Sequence, residues 1–186
     1  MLKISNLTLS RGGRFLVNNL NFTVKPGEAL LITGVNGSGK STLASAIAGN
    51  FKADSGSVDM SGTLGVLLQN IEIDFPISVE EFIDLAGKDA ANNDLIKRLI
   101  TDDIRGKKIT QLSVGQLQRV EIAQVLRLNP DFYLLDEPFS AQDRENTELL
   151  IEILKSLKAK GKGILIINHI QLNLDGLIDE VLNLSR

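Results

Sequence analysis

The sequence has no cysteine and no tryptophan, and only one histidine, one tyrosine and four prolines among 186 residues. Without cysteine, disulfides and thiolate metal sites are excluded, which suits a reducing compartment. Aromatic residues at 4% leave no stacking platform for single-stranded nucleic acid. Positive charge is not in excess either, since 20 Lys and Arg face 23 Asp and Glu for a formal net charge of -3. The nearest basic runs, Lys107-Lys108 and the stretch from Lys155 to Lys162, are short, so no nucleic-acid partner held by bulk phosphate attraction is expected. Long hydrophobic runs are also missing. Ala29 to Ile32 and Ile164 to Ile167 fall far short of the roughly 20 apolar residues that a membrane helix needs. Met1 to Ser10 alternates like a strand, not like a basic and then apolar export signal. The chain is therefore expected not to cross a bilayer by itself.

What is present fits one compact domain over residues 1–186. Leu2, Ile4, Leu7 and Leu9, followed by Phe15, Val17, Leu20, Phe22 and Val24, are spaced for an N-terminal antiparallel sheet punctuated at Gly12-Gly13 and Pro26-Gly27. From Ala29 the pattern changes to short continuous apolar runs, Ala29 to Ile32, Leu64 to Leu68, Phe132 to Leu135 and Ile164 to Ile167. Such runs suit strands of a parallel sheet buried on both faces, with a last strand at Val181 to Leu184. Strand signals vanish over about 71–128, which predicts a helical insertion into an α/β core. Ser78 with Glu81 forms a capping box there, and Ile77 with Phe82 a hydrophobic staple. A helix is predicted over Arg144 to Lys160, apolar along Leu149, Leu150, Ile153, Leu154 and Leu157, with Gly161 closing it.

Three motifs carry chemistry. Gly34-Val35-Asn36-Gly37-Ser38-Gly39-Lys40-Ser41-Thr42 follows an apolar strand and opens a helix, the context of a phosphate-binding loop. Its glycines let backbone N–H groups approach phosphate oxygens, Lys40 reaches the β- and γ-phosphates, and the Ser41 hydroxyl ligates Mg²⁺. Phe132 to Glu137 ends a buried strand with two carboxylates at the sheet edge where open α/β folds bind ligands. Asp136 is placed for the Mg²⁺ shell, and Glu137 to polarise an attacking water. Leu112-Ser113-Val114-Gly115-Gln116-Leu117-Gln118-Arg119 starts a helix with a stripe of Val114, Leu117, Val120, Gln124 and Val125, stopped at Asn129-Pro130. A Ser hydroxyl, a Gly and free helix N–H groups there make a second anion site.

This third segment resembles the LSGGQ signature of ABC-type ATPases, and the resemblance covers essentially the whole chain. It implies a P-loop core with a mostly parallel sheet, an N-terminal antiparallel β subdomain and an inserted helical subdomain. Gln69 resembles the glutamine that touches Mg²⁺ and the lytic water. Ser140-Ala141-Gln142-Asp143 resembles the D-loop that crosses the dimer interface, and His169 the switch histidine that contacts the γ-phosphate. Two departures stand out. The signature has Val114 in place of a glycine. Where family members carry an adenine-stacking aromatic, this chain has Arg11, whose guanidinium plane and the nearby Phe15 are the two alternatives.

The resemblance implies ATP and Mg²⁺ as cofactors and a homodimer in the ATP-bound state. Each ATP would lie between one chain's phosphate loop and Ser113, Gly115 and Gln116 of the opposite subunit. It further implies the nucleotide-binding subunit of an ABC transporter, powering separate integral membrane permease subunits from the cytoplasmic face. The chain's brevity is similar to the compact haem-exporter type. The second reading is a soluble ABC ATPase such as that of iron–sulfur cluster assembly.

Overall fold

The computed structural model describes residues 1–68, 76–169 and 172–184. Strands β1 (Leu2–Arg11) and β2 (Arg14–Val24) form an antiparallel hairpin. After β3 (Ala29–Thr33), β4 (Ser55–Met60) pairs antiparallel with the other edge of β1, giving a three-stranded sheet in the order β2-β1-β4. The remaining strands, β5 (Leu64–Leu67), β6 (Phe132–Asp136), β7 (Gly163–Ile167) and β8 (Glu180–Asn183), join β3 in a parallel sheet ordered β5-β6-β7-β3-β8.

The continuous apolar runs are explained by burial on both faces. In β6, Tyr133 and Leu135 enter one core while Phe132 and Leu134 enter the other; in β7, Ile164 and Ile166 oppose Leu165 and Ile167 in the same way. The first core holds the helices lying between β5 and β6 and between β6 and β7. The second holds the N-terminal sheet and α1 (Lys40–Ile47). A fully buried Leu or Ile side chain contributes about 1.5–3 kcal/mol, so both cores are substantial.

Between β5 and β6 come α2 (Val79–Asp84), α3 (Asn93–Leu99), α4 (Asp102–Arg105), a single 3-10 turn at Ile109–Gln111 and α5 (Val114–Arg127). Ser78 caps α2: its hydroxyl accepts from Glu81 N–H while the Glu81 side chain accepts from Ser78 N–H at 2.8 Å. Helix α5 buries Val120, Ile122, Ala123, Val125 and Leu126. Val114, expected on that apolar stripe, is instead 75% exposed at the helix N-terminus. The reason is that the fully buried residues of α5 begin only at Val120, and the helix bonds to α2 and α3 later still, from Gln124 to Phe82 O and from Arg127 to Asn93. Helix α6 (Arg144–Ala159) buries Leu150, Ile153, Leu154 and Leu157, and Gly161 just beyond it has a φ of 82°. Among the described residues, no helix is long and apolar enough to cross a membrane.

Helix α5 also half-buries Glu121, and that burial pushes its carboxyl up from 4.5 to about 7. The folded protein thus holds the Glu121 proton more tightly than the unfolded chain. This contribution is fully present below about 4.5 and is lost as pH rises through about 7. Glu121→Gln, neutral at every pH, should melt above the wild type at pH 8 and level with it at pH 5. Thermal unfolding at the two pH values checks this, and a difference independent of pH would remove the assignment.

Candidate functional site

Three chain segments leave the parallel sheet from one register row. Ile32 of β3 and Asp136 of β6 both pair with Ile167 of β7. Beyond that row, Glu137 N–H donates to Ile167 O at 2.8 Å and Asn168 N–H to Ile32 O at 3.1 Å. The loop after β3, the carboxylates ending β6 and the residues after β7 therefore emerge side by side at the carboxyl edge.

The loop between β3 and α1 turns through Gly39, whose φ of 101° suits glycine and where a Cβ would come within 2.9 Å of Leu16 Cβ. Gly39 caps α1 without a side chain and the first turn carries no acid, so the positive helix end faces the loop. Lys40 is buried, and its ammonium donates to Gly34 O at 2.7 Å and Val35 O at 3.2 Å. The ammonium therefore sits at the loop's centre. The buried Ser38 Oγ has no hydrogen-bond partner among the described residues. Asn36, Gly37, Gly39, Lys40, Ser41, Thr42 and Glu137 line one cleft with Arg11 and Leu16. Gly34, Val35 and Asn36 line a second cleft with Asn168 and His169.

Asp136 is buried, and one of its oxygens, Oδ1, lacks a partner among the described residues. Burial raises its carboxyl above the usual range; the Ser41 hydroxyl bond opposes this, the Glu137 charge adds to it, and Lys40 opposes it. An orphaned buried carboxylate oxygen beside a hydroxyl is the all-oxygen donor set that a hard divalent cation takes, so these residues fit Mg²⁺.

Glu137 has a φ of 53°, a left-handed conformation that costs a non-glycine residue roughly 1–2 kcal/mol. Several bonds hold it there. Besides its N–H bond to Ile167, its carbonyl accepts from Gln118 Nε2 at 3.0 Å, Ser140 Oγ at 3.0 Å and Ser140 N–H at 3.2 Å. Its carboxylate Oε1 lies 2.7 Å from His169 Nδ1, with Glu137 largely buried and His169 half-exposed. A carboxylate only accepts, so Nδ1 is the donor of this contact and Nε2 is left on the far side of the ring.

Ser113, Gly115 and Gln116 do not line either cleft. Ser113 caps α5, accepting from Gln116 N–H at 3.3 Å while Gln116 Oε1 accepts from Ser113 N–H at 3.1 Å. Gln116 Nε2 reaches Asp103 at 3.1 Å. Gly115 abuts the loop before α6: a Cβ there would collide with the main-chain oxygen of Ala141. Asp143, expected at a dimer interface, accepts from Asn146 N–H at 2.8 Å as the cap of α6. Arg11 lies at the cleft and Phe15 is 67% exposed without lining it. Gln69 lies outside the described residues. The sequence reading missed Gln118, which carries no motif signal beyond its place in the signature helix.

Residues 17–140 match the family model described as ABC transporter. The zinc import ATP-binding protein ZnuC of Rhizobium johnstonii is 34% identical over 177 residues, covering 91% of this chain but only 58% of that protein's own length. The taurine import ATP-binding protein TauB of Shigella flexneri is also 34% identical, over 91% of this chain and 73% of that one. These are names of import subunits, and the narrower likeness to the haem-exporter type gains nothing from them. Among solved structures, the dimeric ATP-binding cassette MJ0796 in a post-hydrolysis state bound to ADP and Pi superimposes with a TM-score of 0.82. It is 26% identical and the match covers 98% of this chain and 94% of that one.

The contact at Gly115 makes a prediction. Gly115→Ala must push the loop before α6 away from α5, and overpacking of this kind costs about 1–3 kcal/mol. Chemical denaturation should show that loss; an unchanged midpoint would mean that the two segments are not packed as described.

Proposed function

The chain belongs to the ABC transporter family, and from that premise we propose that it binds ATP with Mg²⁺, hydrolyses it, and works as the nucleotide-binding subunit of a transporter. On this reading residues 1–186 form one nucleotide-binding domain. The observation that carries it is the Glu137–His169 pair at 2.7 Å, standing one residue beyond Asp136 and beside the loop that surrounds Lys40.

The Lys40 ammonium, held by two loop carbonyls, exchanges them for β- and γ-phosphate oxygens, while the α1 N-terminus and the loop amides take the rest of the anionic charge. Ser41 and Asp136, with Gln69, would hold Mg²⁺, which when bound neutralises phosphate charge and fixes phosphate geometry. Glu137 accepts a hydrogen bond from the attacking water and orients it in line. The new bond forms from water oxygen to the γ-phosphorus as the bond to the bridging oxygen of ADP breaks, and the water proton passes to Glu137. His169, through Nδ1, fixes the Glu137 carboxylate and offers Nε2 at the side of the cleft it shares with Gly34 to Asn36. The Arg11 guanidinium, at the cleft mouth, is the better placed of the two adenine-stacking alternatives.

Ser113, Gly115 and Gln116 complete the opposite subunit's site in a head-to-tail homodimer. Their position away from this chain's own clefts supports the reading, as does the dimeric form of the related cassette. Val114 adds an exposed apolar side chain to that contact. The named relatives import zinc and taurine, cargoes with nothing in common. Different cargo beside a shared nucleotide-binding chain favours separate membrane permeases as the cargo-selecting partners, with this chain on their cytoplasmic face. It also favours transport over a soluble assembly ATPase.

Glu137→Gln should retain MgATP binding, accumulate as a dimer in light scattering, and release phosphate about 10²–10⁴-fold more slowly than wild type. Turnover at the wild-type rate by this variant would strip Glu137 of its role. A wild-type chain that binds MgATP but releases no phosphate, alone or with its permease, would end the hydrolysis reading.

A further inference from the structure

The main-chain carbonyl of Glu137 belongs to the peptide bond with Pro138. Proline has no N–H, so that peptide plane can be anchored only through its oxygen. Two of the bonds to that oxygen come from Ser140, three residues along the same turn. The third comes from Gln118 Nε2, on α5, at 3.0 Å. Gln118 therefore ties a strained backbone position to a distant helix.

The other end of the same amide is also in use. Gln118 Oε1 accepts from Gln142 Nε2 at 2.7 Å, and Gln142 Nε2 further donates to Gly115 O at 3.3 Å. Turning the Gln118 amide over would set oxygen against oxygen and nitrogen against nitrogen, so both contacts fix its orientation together. The neighbouring residue of α5 makes a parallel connection. Arg119 Nη1 donates to Asn146 Oδ1 at 3.2 Å, and Asn146 is bound to Asp143 Oδ1 through its main-chain and side-chain nitrogens. Two adjacent residues of one helix thus hold both ends of the segment from Glu137 to Asn146. Hydrogen bonds thus join the first two turns of α5, Glu137 and the loop before α6 in one continuous network.

We propose that Gln118 is a positioning residue for the hydrolytic reaction, holding the Glu137 backbone so that its carboxylate is aimed, and passing displacements of the α5 N-terminus to Glu137 within the same chain. This rests on the hydrolysis reading above. There, the N-terminus of α5 meets nucleotide bound by the other subunit, so Gln118 makes one site's occupancy felt at the water-orienting carboxylate of the other. A loss of a few tenths of an ångström in aim is costly because attack requires alignment.

The test uses the full chain with Gln118→Ala, Gln118→Glu, Gln142→Ala and the Gln118→Ala/Gln142→Ala pair. Phosphate release, binding of a fluorescent ATP analogue and thermal unfolding are measured on each. Gln118→Glu keeps size and the acceptor for Gln142 but has no hydrogen for the Glu137 carbonyl, so it separates the aimed bond from packing. Expected is a fall in kcat of about tenfold or more for both Gln118 variants, with KM and analogue affinity within about twofold and a reduced Hill coefficient for ATP. Gln142→Ala should cost less, and adding it to Gln118→Ala should cost nothing further. Wild-type kcat in Gln118→Glu would overturn the proposal, as would a loss of kcat matched by equal losses of analogue affinity and melting temperature. A wild-type chain without turnover would instead sink the hydrolysis reading, and the proposal with it, and would be evident before any variant is compared.

Discussion

The site depends on one register row. Ile32, Ile167 and Asp136 lie abreast in three adjacent parallel strands, and the loop carrying Lys40, the Asp136–Glu137 pair and His169 all begin within two residues of that row. Parallel pairing is what permits it, since antiparallel neighbours would send alternate strand ends to opposite edges of the sheet. The hydrogen bonds from Glu137 to Ile167 and from Asn168 to Ile32 extend the ladder past the row, so the first residues of each departing loop are still held by sheet geometry. A slip of one residue in β6 would turn Asp136 from the loop toward the opposite face.

A second constraint is charge in a place without much water. Asp136, Glu137 and Lys40 share a small volume, and burial already disfavours the charge on Asp136. The nearby ammonium and the Ser41 hydroxyl offset part of that cost. Asp136 Oδ1 and Ser38 Oγ, which lack partners among the described residues, are the remaining debit at the site, and buried polar atoms of this kind beside a glycine-rich loop mark where a ligand belongs. The left-handed backbone of Glu137 fits the same view: strain is tolerated where several bonds from independent elements over-determine it.

Much of this was legible in the sequence, for definite reasons. Strands buried on both faces must be apolar at every position, so Ala29 to Ile32, Phe132 to Leu135 and Ile164 to Ile167 announced themselves. Short loops at strand ends kept Lys40, Asp136, Glu137 and His169 close to their strands, and the structure brings these four together. β4 carries no strand signal because five of its six residues are exposed, leaving no alternation; its place is set by main-chain pairing with β1. Val114 was drawn onto the α5 stripe by spacing alone, which cannot tell where along a helix the packing partner starts. Gln118 reads as an ordinary surface glutamine until the fold brings it to a carbonyl nineteen residues further on. Nothing in the side-chain pattern foretells the φ of Glu137.

The two cores on opposite faces of the parallel sheet have a consequence for how such a chain can diversify. The sheet, filled by alternating side chains, stands as a wall between the layer containing α1 and the layer containing α2 to α6. A substitution that reshapes the outer surface of α2 or α3 is screened from α1 and the β3 loop by a full thickness of packed strand. The outer surface of α2 and α3 can be refitted to a new neighbour while α1 and the β3 loop keep their arrangement on the opposite face. An architecture with this partition can be lent from one machine to another by redrawing a single surface.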